Sequence, residues 1–88
     1  MEQEILDLKL ELELLQKKDY EDALNHGIDN KKDWYEYIIK QDKDEIAEAV
    51  INVAKRYNVL AENVANIFDS TMVMRITKVM QSKKGLKK

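Results

Sequence analysis

The chain has 88 residues, no cysteine, no proline, only two glycines (Gly27 and Gly85) and a formal net charge of −2. A chain this short buries only roughly 60 to 65% of the surface its unfolded form exposes, so a monomer has a thin margin of stability and association is expected. The absence of cysteine excludes disulfides and thiolate metal sites, the scarcity of turn residues weighs against hairpin-rich β structure, and no apolar run approaches the roughly 18 residues of a membrane span. The composition predicts an all-α protein, a small bundle of three to five helices with a leucine-rich N-terminal helix. The acidic start MEQEIL differs from a basic secretory signal, and the cytoplasm is the expected location.

Residues 5–15, ILDLKLELELL, carry leucine at every second position from Leu6 to Leu14, which is strand spacing. The residue types are those of a helix: Leu, Glu, Lys and Gln dominate, and β-branched and aromatic side chains are nearly absent. At about 100° per residue, Ile5, Leu8, Leu12 and Leu15 fall on one stripe while Leu6, Leu10 and Leu14 fall opposite. The first stripe is heptad-spaced and is expected to serve helix–helix packing and self-association. The second, with Tyr35 and Ile39, is expected to meet a partner protein.

Continuing this helix brings Asp19 onto the apolar seam, which predicts a break near KKDYED with Asp19 capping a short helix through Asn25. Gly27 then closes that helix in the left-handed conformation, and Ile28 returns to the core. A further helix is expected over residues 29–41, starting at Asp29 or Asp33, with Trp34, Tyr37, Ile38 and Gln41 on one face and Tyr35 and Ile39 on another.

The next segment, DKDEIAEAVINVAKRYNV, reads as a helix capped by Asp42 with Glu45 three residues on. Ile46, Ala49, Val50, Val53, Ala54 and Tyr57 follow with helical spacing, and Asn58 takes the left-handed position that ends it. A last helical region begins near Ala61 and sets Val64, Ile67, Phe68, Met72, Ile76, Val79 and Met80 on one broad face. The run FDST interrupts it, because Asp69 and Ser70 can cap a restarted helix. Residues 1–82 are read as a single helical domain and residues 83–88 as a basic flexible tail.

Charge is segregated along the chain. Residues 1–50 carry 15 acidic and 7 basic side chains, whereas residues 51–88 carry 2 acidic and 8 basic ones. This pattern fits attraction between the two halves, and equally a molecule with one face for a basic partner and one for an acidic partner.

Catalytic chemistry finds few components. The single histidine, His26, has neither a second histidine nor a cysteine with which to build a triad or a tetrahedral metal site, and its position suits a helix C-terminus. Asp42, Asp44 and Glu45 suggest calcium, but an EF-hand loop starting at Asp42 needs glycine and glutamate where the chain has Ala47 and Val53. There is no phosphate-cradling glycine loop, and no cofactor is expected. The expectation is a non-enzyme.

Residues 53–68, VAKRYNVLAENVANIF, resemble the helix-turn-helix pattern of bacterial and phage regulators. Ala54 is the small residue of the first helix, Asn58 the turn residue, Val59 the apolar residue after it, and Val64 and Ile67 the anchors of the second helix. The resemblance implies that Ala61, Glu62, Asn63, Ala65 and Asn66 face the major groove, with Asn63 and Asn66 reading adenine edges. Lys55, Arg56, Arg75, Lys78 and the tail lysines would then hold backbone phosphates. Glu62 opposes phosphate, and an ordinary helical hairpin inside a small core has the same pattern.

Three functions are therefore expected in descending order. The first is a non-enzymatic regulatory or adaptor protein that binds another protein, or a second copy of itself, through the leucine-rich helix and the neighbouring aromatic and acidic surface. The second is a dimeric helix-turn-helix regulator that binds DNA. The third is an inhibitor whose acidic half covers a basic, nucleic-acid-binding surface. Size, absent proline and a composition rich in lysine, asparagine and isoleucine fit a phage or mobile-element accessory protein.

Overall fold

A computed structural model describes the backbone of residues 2–86 and the side chains of residues 2–82. Among the described residues the chain is all-helical: α1 (Glu2–Asn25), α2 (Lys31–Ile39), α3 (Glu45–Arg56), α4 (Ala61–Phe68) and α5 (Met72–Leu86). The strand spacing of residues 5–15 is thus overridden by the helical propensity of the residues that carry it. At about 1.5 Å per residue α1 is about 36 Å long, close to the longest extent of a plate of 38 × 37 × 17 Å.

Helix α1 is continuous through Asp19, against the expected break. The carboxylate that would be costly on an apolar seam is instead met by the Arg75 guanidinium, at 3.0 and 3.2 Å, and by Trp34 Nε1 at 2.9 Å. The helix ends as expected. Gly27 has φ +75°, its N–H donates to the Leu24 carbonyl, and the Ile28 N–H reaches back to Ala23 O at 2.9 Å. These two bonds form a Schellman motif, with Ile28 half-buried behind it. A Cβ at Gly27 meets open space, so the cost of Gly27→Val is one of backbone conformation alone. A loss of about 1–2 kcal/mol in urea unfolding is expected.

The starts of α2 and α3 differ from expectation. Helix α2 is capped by Asn30, not Asp29 or Asp33: Asn30 Oδ1 accepts from Asp33 N at 2.8 Å while its Nδ2 donates to Asp33 Oδ2 at 2.9 Å. The first bond satisfies a free N–H of the first turn, and the second holds the capping amide in place. Helix α3 is capped by Asp44, not Asp42, with Asp44 Oδ1 accepting from Ala47 N at 3.0 Å. Asp42 is exposed, whereas Asp44 is buried against Arg75. That tertiary pairing selects the cap.

Asn58 ends α3 with φ +56°, and bonds from Asn58 N to Lys55 O and from Val59 N to Ala54 O complete a second Schellman motif. The interruption at FDST is present. Asp69 Oδ1 accepts from both the N–H and the hydroxyl of Thr71 at 2.9 Å, and Asp69 pairs with Lys31 at 3.3 Å. Partial burial raises the Asp69 carboxyl, but the Thr71 and Lys31 contacts outweigh it and hold the group below its ordinary value. Helix α5 carries on through Leu86, past the expected domain limit at 82, so the backbone of residues 83–86 is helical. The side chains of the expected flexible tail, and all of residues 87 and 88, lie outside the described residues.

The core joins Leu8 and Leu12 of α1 to the inward faces of α3, α4 and α5, among them Val50, Ala54, Val64, Ala65, Phe68, Met72 and Ile76. Alanine at 47, 54 and 65, all fully buried, lets α3 approach its neighbours closely. Two residues expected on this face are exposed instead, Ile67 and Met80. A short helix of eight residues can bury only one stripe, and Val64, Ala65 and Phe68 occupy it. Helix α2 attaches outside this core: Trp34 and Tyr37, stacked on each other at 5.4 Å, pack on the His26 ring, and Trp34 Nε1 donates to Asp19 of α1.

Candidate functional site

Helix α1 packs against α3 and α4, and its polar residues nearest the core fix it there. Glu11 pairs with Arg56 at 2.7 Å and hydrogen-bonds Tyr57, while Asp19 meets Arg75 and, through it, the N-cap of α3. Helices α1 and α3 are therefore antiparallel. The bond from Tyr57 and the charge of Arg56 outweigh desolvation and hold Glu11 below its ordinary value; the same bond, with burial, raises Tyr57. On the α4 side, the Gln16 amide donates to the Phe68 carbonyl, one of the carbonyls a helix end leaves open.

With that orientation set, the stripes separate. Leu8 and Leu12 are buried, Leu15 is half-buried against the core, and Ile5 is exposed. The seam Ile5–Leu8–Leu12–Leu15, expected to serve self-association, is thus used for the chain's own core at all but its first residue, because α3 and α4 already fit against it. The opposite stripe remains outside: Leu6, Leu10 and Leu14 are 51%, 49% and 68% exposed.

Because α1 does not break at Asp19, its outer surface extends further than expected, through exposed Tyr20 to exposed Leu24. These two residues were legible in the spacing, but the expected break hid them. A groove of about 440 Å³ between α1 and α3, lined in part by Leu14, Leu15, Lys18, Ala49 and Asn52, borders this surface. A second cleft of about 470 Å³, between the C-terminal half of α1, α2 and the end of α4, is walled by Tyr20, Ala23, Ile28, Trp34 and Phe68.

The structure does not bring Tyr35 and Ile39 to this surface. Both are half-buried; the Tyr35 hydroxyl contacts Met74 Sδ at 3.6 Å, and the Ile39 carbonyl accepts from Lys78 Nζ. They belong to the α2–α5 contact.

The nucleic-acid candidates are likewise dispersed. Arg75, expected at phosphate, is 3% exposed and bound on both sides by carboxylates. Lys78 donates to the Ile39 and Gln41 carbonyls, closing the C-terminal end of α2, where a cation suits the helix dipole. Lys55 and Arg56 are exposed at the end of α3, with Arg56 held by Glu11. Asn63 and Asn66 are exposed on α4, but Ala65, expected beside them, is buried. Their neighbours are Glu62 and the apolar Leu60 and Ile67, which are 69% and 55% exposed, with no cation on that helix.

Among the described residues no group of His, Asp and Glu side chains is placed to hold a metal ion, and no helix is long and apolar enough to cross a membrane. No family model, curated protein or solved structure matches this chain.

Proposed function

We propose that this chain is a small non-enzymatic regulatory or adaptor protein that acts by binding protein through the outer face of α1. The observation that carries the reading is the split of α1 leucines, with Leu8 and Leu12 inside and Leu6, Leu10 and Leu14 outside. Single exposed leucines are ordinary, but several along one face of a helix whose other face is already committed form a contiguous apolar surface of the kind used in helix-mediated recognition. The exposed Glu13 and Lys17 on the same face, with Glu21 at its edge, add charges that govern partner choice.

The DNA-binding alternative retains the α3–α4 hairpin with Asn58 at its turn. Against it stand the burial of Arg75, the internal engagement of Lys78 and the apolar and acidic outer face of α4. A helix face without cations, as on α4, lacks the phosphate neutralisation that supplies most affinity for DNA.

Leu10→Asp tests the reading. The variant is expected to keep the helical circular-dichroism spectrum and a stability within about 0.5 kcal/mol of the parent, while losing association with whatever protein the parent retains in a pull-down from its native cells. Equal retention by parent and variant would remove α1 as the binding element.

A further inference from the structure

The outer face of α1 is more than an apolar stripe. Leu6, Leu10, Glu13, Lys17, Tyr20 and Leu24 succeed one another at alternating intervals of four and three, the spacing of a coiled-coil seam, and all six are exposed. The unbroken helix places them on one line facing away from the core. Four are apolar and two bear opposite charges. Neither Glu13 nor Lys17 has an ion-pair partner within the chain among the described residues.

An apolar line alone does not name its occupant, but the order of these residues does. If one copy is set antiparallel to another, with the midpoint at the level of residue 15, Leu6 meets Leu24, Leu10 meets Tyr20 and Glu13 meets Lys17. The two-fold then repeats each pair on its other side. Every residue of the seam thereby finds a complementary one in its own sequence, the condition for an isologous interface. Leu14, the most exposed leucine of the helix, flanks the seam beside the two-fold, where it meets the same residue of the other copy. A parallel, in-register pair instead opposes Glu13 to Glu13 and Lys17 to Lys17. The one unfavourable approach in the antiparallel arrangement is Asp7 towards Glu21, at the solvent-screened rim, where Gln3 Nε2 already donates to Asp7 at 3.0 Å.

We infer that the outer face of α1 binds a second copy of this chain, antiparallel, in a two-helix seam with two central Glu13–Lys17 pairs. The inference rests on the proposed use of this face for protein binding and specifies what occupies it. The apolar pairs at both ends supply the buried surface, and the central charges set orientation and register. Self-association therefore moves from the Ile5–Leu15 stripe, which the core has taken, to its opposite.

Sedimentation of the full chain tests this directly. The parent is expected to be a dimer, and Lys17→Glu and Glu13→Lys each to weaken dimerisation on the order of 100-fold, because each opposes like charges at both central positions. Mixing the two variants restores opposite charges at both positions, so a one-to-one heterodimer is expected from two poor self-associators. Circular dichroism on each variant separates loss of pairing from loss of fold. Because the parent has no cysteine, orientation is read separately: Leu6→Cys mixed with Leu24→Cys should yield a disulfide-linked heterodimer under mild oxidation, whereas efficient self-linking of Leu6→Cys overturns the antiparallel arrangement. A parent that stays monomeric at every concentration, or a mixture that fails to re-pair, overturns the self-association. If the parent is monomeric yet retains a different protein that Leu10→Asp does not, the protein-binding function stands without this inference; if neither happens, both fall.

Discussion

Arg75→Ala is expected to remove about half of the protein's folding stability. The Arg75 Nε and Nη2 groups donate to Asp44 at 2.7 and 2.8 Å, and Nη1 and Nη2 donate to Asp19 at 3.0 and 3.2 Å. Burial by itself pushes the guanidinium down; the bonds and charges of Asp44 and Asp19 more than offset it and hold it above its ordinary value. One side chain thus connects α5 to α1 and to the N-cap of α3, and through Asp19 to Trp34 of α2. Removing it strands one buried and one partly buried carboxylate, a loss of about 3–5 kcal/mol, against a total stability on the order of 5–10 kcal/mol for a domain of this size. Arg75→Lys keeps the charge but not the two forked contacts and should fall between. The control is the triple variant Asp19→Leu, Asp44→Asn, Arg75→Met, which removes the charges together while keeping an oxygen to cap α3. It should recover much of the loss, since a buried ion network is commonly no better than apolar packing of similar volume. Urea unfolding of the four proteins decides the matter. A cost below about 1 kcal/mol for Arg75→Ala would place the network in solvent, contrary to its geometry.

Leu12→Asp is expected to abolish the fold, while Leu10→Asp, two residues away on the same helix, is nearly silent in the stability of the monomer. Leu12 is among the largest fully buried side chains, within a core shared by four helices. Its loss to alanine alone should cost about 2–5 kcal/mol through transfer and cavity terms. An aspartate adds an unpaired carboxylate within an apolar cluster, which costs several kcal/mol more. Leu10 projects into solvent, so its replacement sacrifices only outer surface. Thermal and urea unfolding of both variants check the contrast. Comparable losses in the two would mean that the outer stripe is covered within the folded monomer.

The elements whose ends are written in local chemistry were legible. Gly27 and Asn58 adopt the left-handed conformation expected of them because the residue types that tolerate it are few and each stands where an apolar period stops. The interruption at FDST was legible because an Asp there can satisfy nearby backbone N–H groups, as Asp69 does for Thr71, although α5 itself begins only at Met72. The starts of α2 and α3 were misplaced by one to three residues because several Asp and Asn side chains compete as caps. Local rules rank Asp42 with Glu45 highest, yet Asp44 is chosen because Arg75, remote in sequence, binds its other oxygen.

On its own, the sequence determined helicity, the opposed leucine stripes of the first helix and the absence of cysteine chemistry, because each follows from residue type and a period of 3.6. Only the tertiary structure decided which stripe was spent on the core, that α1 runs on through Asp19, and that Arg75 and Lys78 serve the interior and not a phosphate backbone. These outcomes depend on charges and helix ends that meet across more than thirty residues of chain. An isolated Asp19 on an apolar seam argues for a break; paired with Arg75 and Trp34 it holds the helix straight, and it is this straightness that aligns Leu6 to Leu24 along a single outer face.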